Sequence, residues 1–227
     1  PTYSPVHPDM MMIPLRTPTL PPATHTNCYV LGGEELLVVE PAAKDTETLA
    51  SILTYLDRRI SEGASIKALI LTHHHHDHIG GIETCVARYG APVWAHAETA
   101  SRVPFDVHRH LEDGDELSLN CGQEWRVLFT PGHAPGHICL FETHTRSMVV
   151  GDMLAGLGSI LVEPHDGDMA AYIASLTRMK SLGPSCLMPS HGPYMGAACA
   201  KIQAYVDHRL DRERALLDAL TEFSDFL

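Results

Sequence analysis

Short apolar runs broken by glycine, proline and polar residues fill most of the chain, and helical spacing appears in only a few windows. The runs CYVLGG (28–33) and ELLVVE (35–40) sit on either side of Gly32 and Gly33, which predicts a hairpin. Over residues 45–63, Leu49, Ile52, Leu53, Leu56 and Ile60 recur at helical spacing, with Asp45 as N-cap and Gly63 as stop. IKALIL (66–71) predicts a buried strand, residues 82–89 a short helix closed by Gly90, and APVWA (91–95) another strand. Four strand-like runs follow: GDELSL (114–119), EWRVLFT (124–130), HICLFE (137–142) and SMVVGD (147–152). A helix over 168–182 places Tyr172, Ile173, Leu176 and Met179 on one face and stops at Gly183-Pro184. CLMPSHG (186–192) predicts a last short strand and loop, and 197–220 a long helix. The prolines of residues 1–22 predict extended or irregular chain. Two groups of strands, each followed by helices, indicate a layered α/β fold with no linker and no internal repeat.

Within this pattern, THHHHDHIG (72–80) stands between a buried strand and a helix, where α/β proteins tend to place their chemistry. In extended chain, side chains at i and i+2 point the same way, so His73 and His75 converge while His74 and His76 face elsewhere. Asp77 and His78 follow where the chain turns, giving two pairs of metal-ligand residue types. Three more polar residues follow strand-like runs: His133 in TPGHAPGH (130–137), Asp152 in VVGD (149–152) and His191 in PSHG (189–192). His137 reads as a structural residue or a support for a ligand, and His74 and His76 as solvated or supporting. Lys201, Arg209, Arg212 and Arg214 read as a solvated helix face.

Composition narrows the partners. At 227 residues the chain suits one domain, and a net charge of −12 with histidine neutral argues against non-specific phosphate binding. The six cysteines form no CxxC pair and are expected as buried free thiols. No signal peptide and no membrane-length apolar run is evident, so a soluble cytoplasmic protein that engages no membrane is the expectation.

Taken together, THHHHDH, TPGHAPGH, GD and SHG resemble the metallo-β-lactamase superfamily in order and spacing over almost the full chain. The flavour is that of the glyoxalase-II-like branch and, within it, the beta-lactamase-like protein 2 group. The resemblance implies an αβ/βα sandwich of two mixed sheets flanked by helices, with metals at the edge between the sheets. It implies that His73, His75 and His133 bind a first metal, that Asp77, His78 and His191 bind a second, and that Asp152 bridges them. Ser190 departs from the family, which more often has glycine before the last histidine. The chain is expected as one domain over 1–227, with 197–227 a C-terminal helix at the point where group members continue into a winged-helix-like domain.

The implied chemistry is hydrolysis by two Zn2+ ions, or iron or manganese in their place, with a metal-bridging hydroxide that Asp77 ligates and orients. Classical β-lactamases of the family lack the bridging aspartate matched by Asp152, and its flavodiiron branch carries Glu at the position of His75. True glyoxalase II adds a helical domain that binds glutathione. Two substrate classes remain: a small ester, thioester or lactone, which is favoured, and single-stranded RNA cut by an endoribonuclease. A non-catalytic metal-binding module is a third reading. Tyr194 and Met195 are expected to line an apolar substrate pocket.

Overall fold

A computed structural model describes residues 4–224. The chain opens with β1 (Ser4–His7), β2 (Met10–Arg16), β3 (His25–Leu31) and β4 (Glu35–Val39), then α1 (Thr46–Ser61) and β5 (Ser65–Ile70). The helices α2 (His76–Ile79) and α3 (Ile82–Tyr89) lead to β6 (Val93–Ala95), α4 (Ala97–Ala100) and β7 (Arg109–His110). These seven strands form one sheet in chain order, antiparallel through β4 and parallel from β4 to β7. The second half supplies β8 (Glu116–Ser118), β9 (Glu124–Phe129), β10 (Ile138–Glu142), β11 (Ser147–Gly151), α5 (Met169–Ser181), β12 (Cys186–Pro189) and α6 (Ala198–Ser224). Its five strands form a second sheet in the order β12-β11-β10-β9-β8, in which only β11 and β12 run parallel.

Alternation along the strands builds the layers. In β4, Leu37 and Val39 face the other sheet and pack with Trp125, Val127, Leu140 and Met188, while Leu36 and Val38 face α1 and α3. The outer face of the second sheet packs Cys139, Met148 and Val150 against Tyr172, Leu176 and Ile202 of α5 and α6. The result is helices, sheet, sheet, helices, as the sequence predicted. Burial on both faces explains why these strands read as continuous apolar runs rather than alternating ones. At such positions a Leu→Ala change costs about 2–5 kcal/mol.

The expectation of extended or irregular chain over residues 1–22 is sharpened for the described residues 4–22, where two extended segments pair as strands, while residues 1–3 lie outside the described residues. Pro14 lies opposite Asn27 of β3 and two residues beyond the last β1–β2 pair, Ser4 with Met12. Among the described residues no strand pairs with it on that side, and a strand edge is one of the settings in which a sheet accepts proline. Among the described residues no cysteines pair; Cys28, Cys85 and Cys139 are buried, whereas Cys121 is exposed in a turn, against expectation. No helix among the described residues is long and apolar enough to cross a membrane.

Candidate metal centre

The seven residues singled out in the sequence converge at one edge of the sandwich, beyond the ends of β5, β9, β11 and β12. The Ile138 amide donates to the Thr72 carbonyl at 2.9 Å and so joins the two sheets beside the histidine loop. At His75 the chain is still extended, with φ −63 and ψ 149, and α2 then turns Asp77 and His78 toward the opposite side. The Asn27 side chain donates to the Pro189 and Gly192 carbonyls at 2.9 and 2.8 Å, holding the His191 loop against β3. Gly151, at φ +50, precedes Asp152 because a Cβ there would meet His137 Nε2 at 2.4 Å and Thr72 Oγ1 at 2.8 Å.

His73, His75 and His133 form the first pocket. His75 Nδ1 lies 3.1 Å from His73 Nε2 and 3.0 Å from His133 Nε2. Nitrogens about 2.0–2.1 Å from one tetrahedral metal stand roughly 3.3 Å apart, so this spacing fits a single ion. The outer nitrogens fix the tautomers. His133 Nδ1 donates to the Leu161 carbonyl at 2.8 Å and His75 Nε2 to the Asp166 carboxylate at 2.7 Å. The Thr72 hydroxyl gives its proton to Glu40 and therefore accepts from His73 Nδ1 at 2.9 Å. All three inner nitrogens are thus left with lone pairs facing one another. Burial pushes the His73 imidazole well below its ordinary pKa and lowers His133, so both rings are neutral, as a metal requires.

Asp77, His78 and His191 form the second pocket. His78 Nε2 lies 3.6 Å from Asp77 Oδ1, and His191 Nε2 lies 3.6 Å from Asp77 Oδ2. His191 Nδ1 donates to the His25 carbonyl at 2.9 Å, which leaves Nε2 facing inward. Asp152 Oδ2 stands between the pockets, 3.6 Å from His133, 3.6 Å from His78 and 3.3 Å from His191. Burial works against charge on His78, but Glu40, Asp152 and Asp77 outweigh it and hold the imidazole well above its ordinary pKa. His191 is raised likewise: burial opposes it, and Asp152 prevails. Burial would raise Asp152, yet His78 and His191 hold it well below the carboxylate range.

Glu40 is one residue of the site that sequence reasoning missed. It is fully buried beyond β4 at φ +54, takes protons from Thr72 and from Ser190 Oγ (2.6 Å), and lies 3.1 Å from His78 Nδ1. The Ser190 departure is therefore explained, because its hydroxyl is one of the buried partners of Glu40. A signal was present: Glu40 is a lone carboxylate closing an apolar strand, the same position that marked Asp152 and His191.

Whether these residues suit metals can be judged from what they leave unsatisfied. Asp152 Oδ1 and His78 Nε2 are buried and have no hydrogen-bond partner. Each such group costs about 1–3 kcal/mol, which cations between the carboxylates and imidazoles would relieve. The donor set of imidazole and carboxylate suits zinc and iron. His137 is not aimed inward: its Nε2 accepts the Asp152 amide at 3.1 Å and its Nδ1 meets Thr130 Oγ1 at 2.9 Å. His74 approaches Asp166 at 3.5 Å, and burial brings its pKa down to about 4. His76 is exposed at the cleft.

The pockets open into a cleft of about 610 Å³. Residues from 18–23 and from 155–161 line it, together with Arg209 and Arg212 of α6. Two expectations fail here. Tyr194 and Met195 are not among the lining residues, since Met195 is buried against α5 and α6. Arg209 is no solvated residue, because its guanidinium lies 5.4 Å over the Tyr172 ring and donates to the Ile160 carbonyl.

The metallo-beta-lactamase superfamily domain matches residues 21–191, and the chain belongs to that superfamily, whose members are metal-dependent hydrolases. It is 30% identical over 203 residues to a beta-lactamase-like protein 2 homolog of Drosophila melanogaster, covering 85% of this chain and 67% of that one. A homolog of the same name from Caenorhabditis elegans is 28% identical over 206 residues, covering 88% and 67%. The lactamase-like protein adaB of Aspergillus niger is 29% identical, and the match spans only 58% of its length. The fold matches a metallo-beta-lactamase family protein of Thermus thermophilus with a TM-score of 0.79, at 23% identity over 95% of this chain and 84% of that one. TTHA1623, solved in a di-iron-bound form, matches with a TM-score of 0.63 at 28% identity, covering 81% and 95%.

Proposed function

We propose that this chain is a dinuclear-metal hydrolase of a small ester, thioester or lactone, with zinc as the metal. His73, His75 and His133 would hold one ion, Asp77, His78 and His191 the other, and Asp152 both. Ions so held lower the pKa of a bound water and polarise the bond to be cut. The residues do the rest. Asp152, kept ionised by His78 and His191, sets the spacing of the pockets. Asp77, between His78 and His191 and facing the cleft, orients the nucleophile and accepts its proton. Leu161 and Asp166 keep the His133 and His75 rings in the ligating tautomer.

The observation that carries the substrate class is the cleft. Its size of about 610 Å³ and its exposed leucines fit a small molecule and give no long basic track of the kind that holds an RNA backbone. The net charge of −12 agrees. The test is a panel of lactones, esters and thioesters against a labelled single-stranded RNA, at matched metal-loaded enzyme and moderate salt. Acyl hydrolysis lost in Asp77→Ala is expected. RNA cleavage lost in that variant, with acyl hydrolysis at background, would give the endoribonuclease reading instead.

A further inference from the structure

The cleft combines exposed leucines with acids, histidines and two arginines. Leu20, Leu157 and Leu161 are 64%, 53% and 49% exposed, and all three line the cleft that leads to the metal pockets. Leucines exposed in this way suit an apolar body that covers them. The two arginines differ from their neighbour on α6. Arg214 of the same helix is paired with Asp211 at 3.1 Å, but Arg212 has no ion-pair partner among the described residues. Arg209 is anchored over Tyr172 and by the Ile160 carbonyl, while its Nε is buried with no hydrogen-bond partner.

Among the described residues, none of the cleft's acids forms an ion pair with Arg209 or Arg212. Asp166 is engaged by His75 at 2.7 Å and Glu163 by His165 at 3.0 Å, and Asp77 and Asp152 face the metal pockets. An unpaired guanidinium at such a cleft, in a chain of net charge −12, is suited to an anion brought by the ligand.

We infer that the substrate carries a carboxylate, separated from the bond that is cut by an apolar body, and that Arg212 beside Arg209 receives that carboxylate. This rests on the acyl-hydrolase reading above and names its substrate class: a half-ester or thioester of a dicarboxylic acid, or a lactone bearing a carboxylate side chain. The apolar body lies against the leucines, the acyl carbon faces the metal pockets, and the far carboxylate faces α6. Arg212 is a binding residue of this subsite and takes no part in breaking the bond.

The test uses two esters that differ only at the far end: the p-nitrophenyl half-ester of suberic acid with a free carboxylate, and the same compound methyl-capped. In the metal-loaded wild type the free carboxylate is expected to raise kcat/KM about tenfold or more, through KM, as a charge-assisted hydrogen bond would. The ratio should fall to about one in Arg212→Ala, drop below one in Arg212→Glu, and be partly kept in Arg212→Lys. Because Arg212 is exposed, these variants should fold. Calorimetric titration with the matching butylamides reads binding without hydrolysis. A carboxylate preference that depends on Arg212 in the amides, with neither ester cut, would sustain the subsite and sink the hydrolase reading. Ester cleavage with no carboxylate preference in the wild type would overturn the subsite and leave that reading standing. Arg212-dependent binding of single-stranded RNA, with the two amides indistinguishable, would also overturn it.

Discussion

The two pockets lie side by side and share Asp152, yet they differ in kind. The first is three imidazoles, of which His73 and His133 are pushed toward neutrality by burial, chiefly through loss of solvent. The second sets His78 and His191 among Asp77, Asp152 and Glu40, and both rings are raised. Burial therefore favours the neutral form of His73 and His133 in the first pocket, and the carboxylates favour the protonated form of His78 and His191 in the second. In the second, a cation must replace protons. Without metal, the charged His78 stabilises the folded chain at low pH, and this contribution is lost as pH rises through its raised pKa.

The largest effect should come from removing the residue that joins the pockets. Asp152→Ala is expected to lower turnover by more than the roughly 100-fold that losing a ligand's supporting partner costs, and to release the second metal, seen by elemental analysis. Retention of two metals with near-normal turnover would break the comparison. Glu40→Gln should weaken the second metal about 10–100-fold and leave the first nearly unchanged, because Glu40 touches His78 directly but reaches His73 only through Thr72. Equal weakening of both would mean that the buried carboxylate serves the pockets alike.

His137→Ala should cost less than Asp152→Ala, roughly tenfold in turnover, since His137 reaches Asp152 only at its backbone amide. Losses of equal size with metal content intact would place His137 at the chemistry. The least effect on the metals should come from Ser190→Gly, the residue that the family resemblance leads one to expect at this position. Losing one hydrogen bond to a buried carboxylate should cost about 1.5–3 kcal/mol of stability, read by denaturant unfolding, with metal content unchanged.

How much of this was legible in the sequence follows the same division. The strands and large helices were readable because burial on both faces makes apolar runs and helical spacing locally visible. The seven inner residues were readable because metal-ligand types recur at strand ends. Their outer partners were not. Leu161 contributes a backbone carbonyl, Thr72 and Ser190 a hydroxyl, and Asp166 a carboxylate from a loop 91 residues after His75. Such partners are chosen by the folded path of the chain, not by residue type. The strands β1 and β2 were hidden by prolines that the sheet accommodates, and β7 by its two exposed residues. The role of Arg212 depends on where α6 lies over the cleft, which helical periodicity alone does not give.

The most direct test of two unlike pockets is a metal titration of the stripped protein, repeated from about pH 6 to 8 with proton uptake recorded. The account predicts two equivalents. One should bind with less pH dependence and less proton release, because burial holds His73 and His133 below their ordinary pKa. The other should release protons and tighten as pH rises, because His78 and His191 must give theirs up. A single equivalent that does not rise on reconstitution, or two equivalents with the same pH dependence, would contradict it.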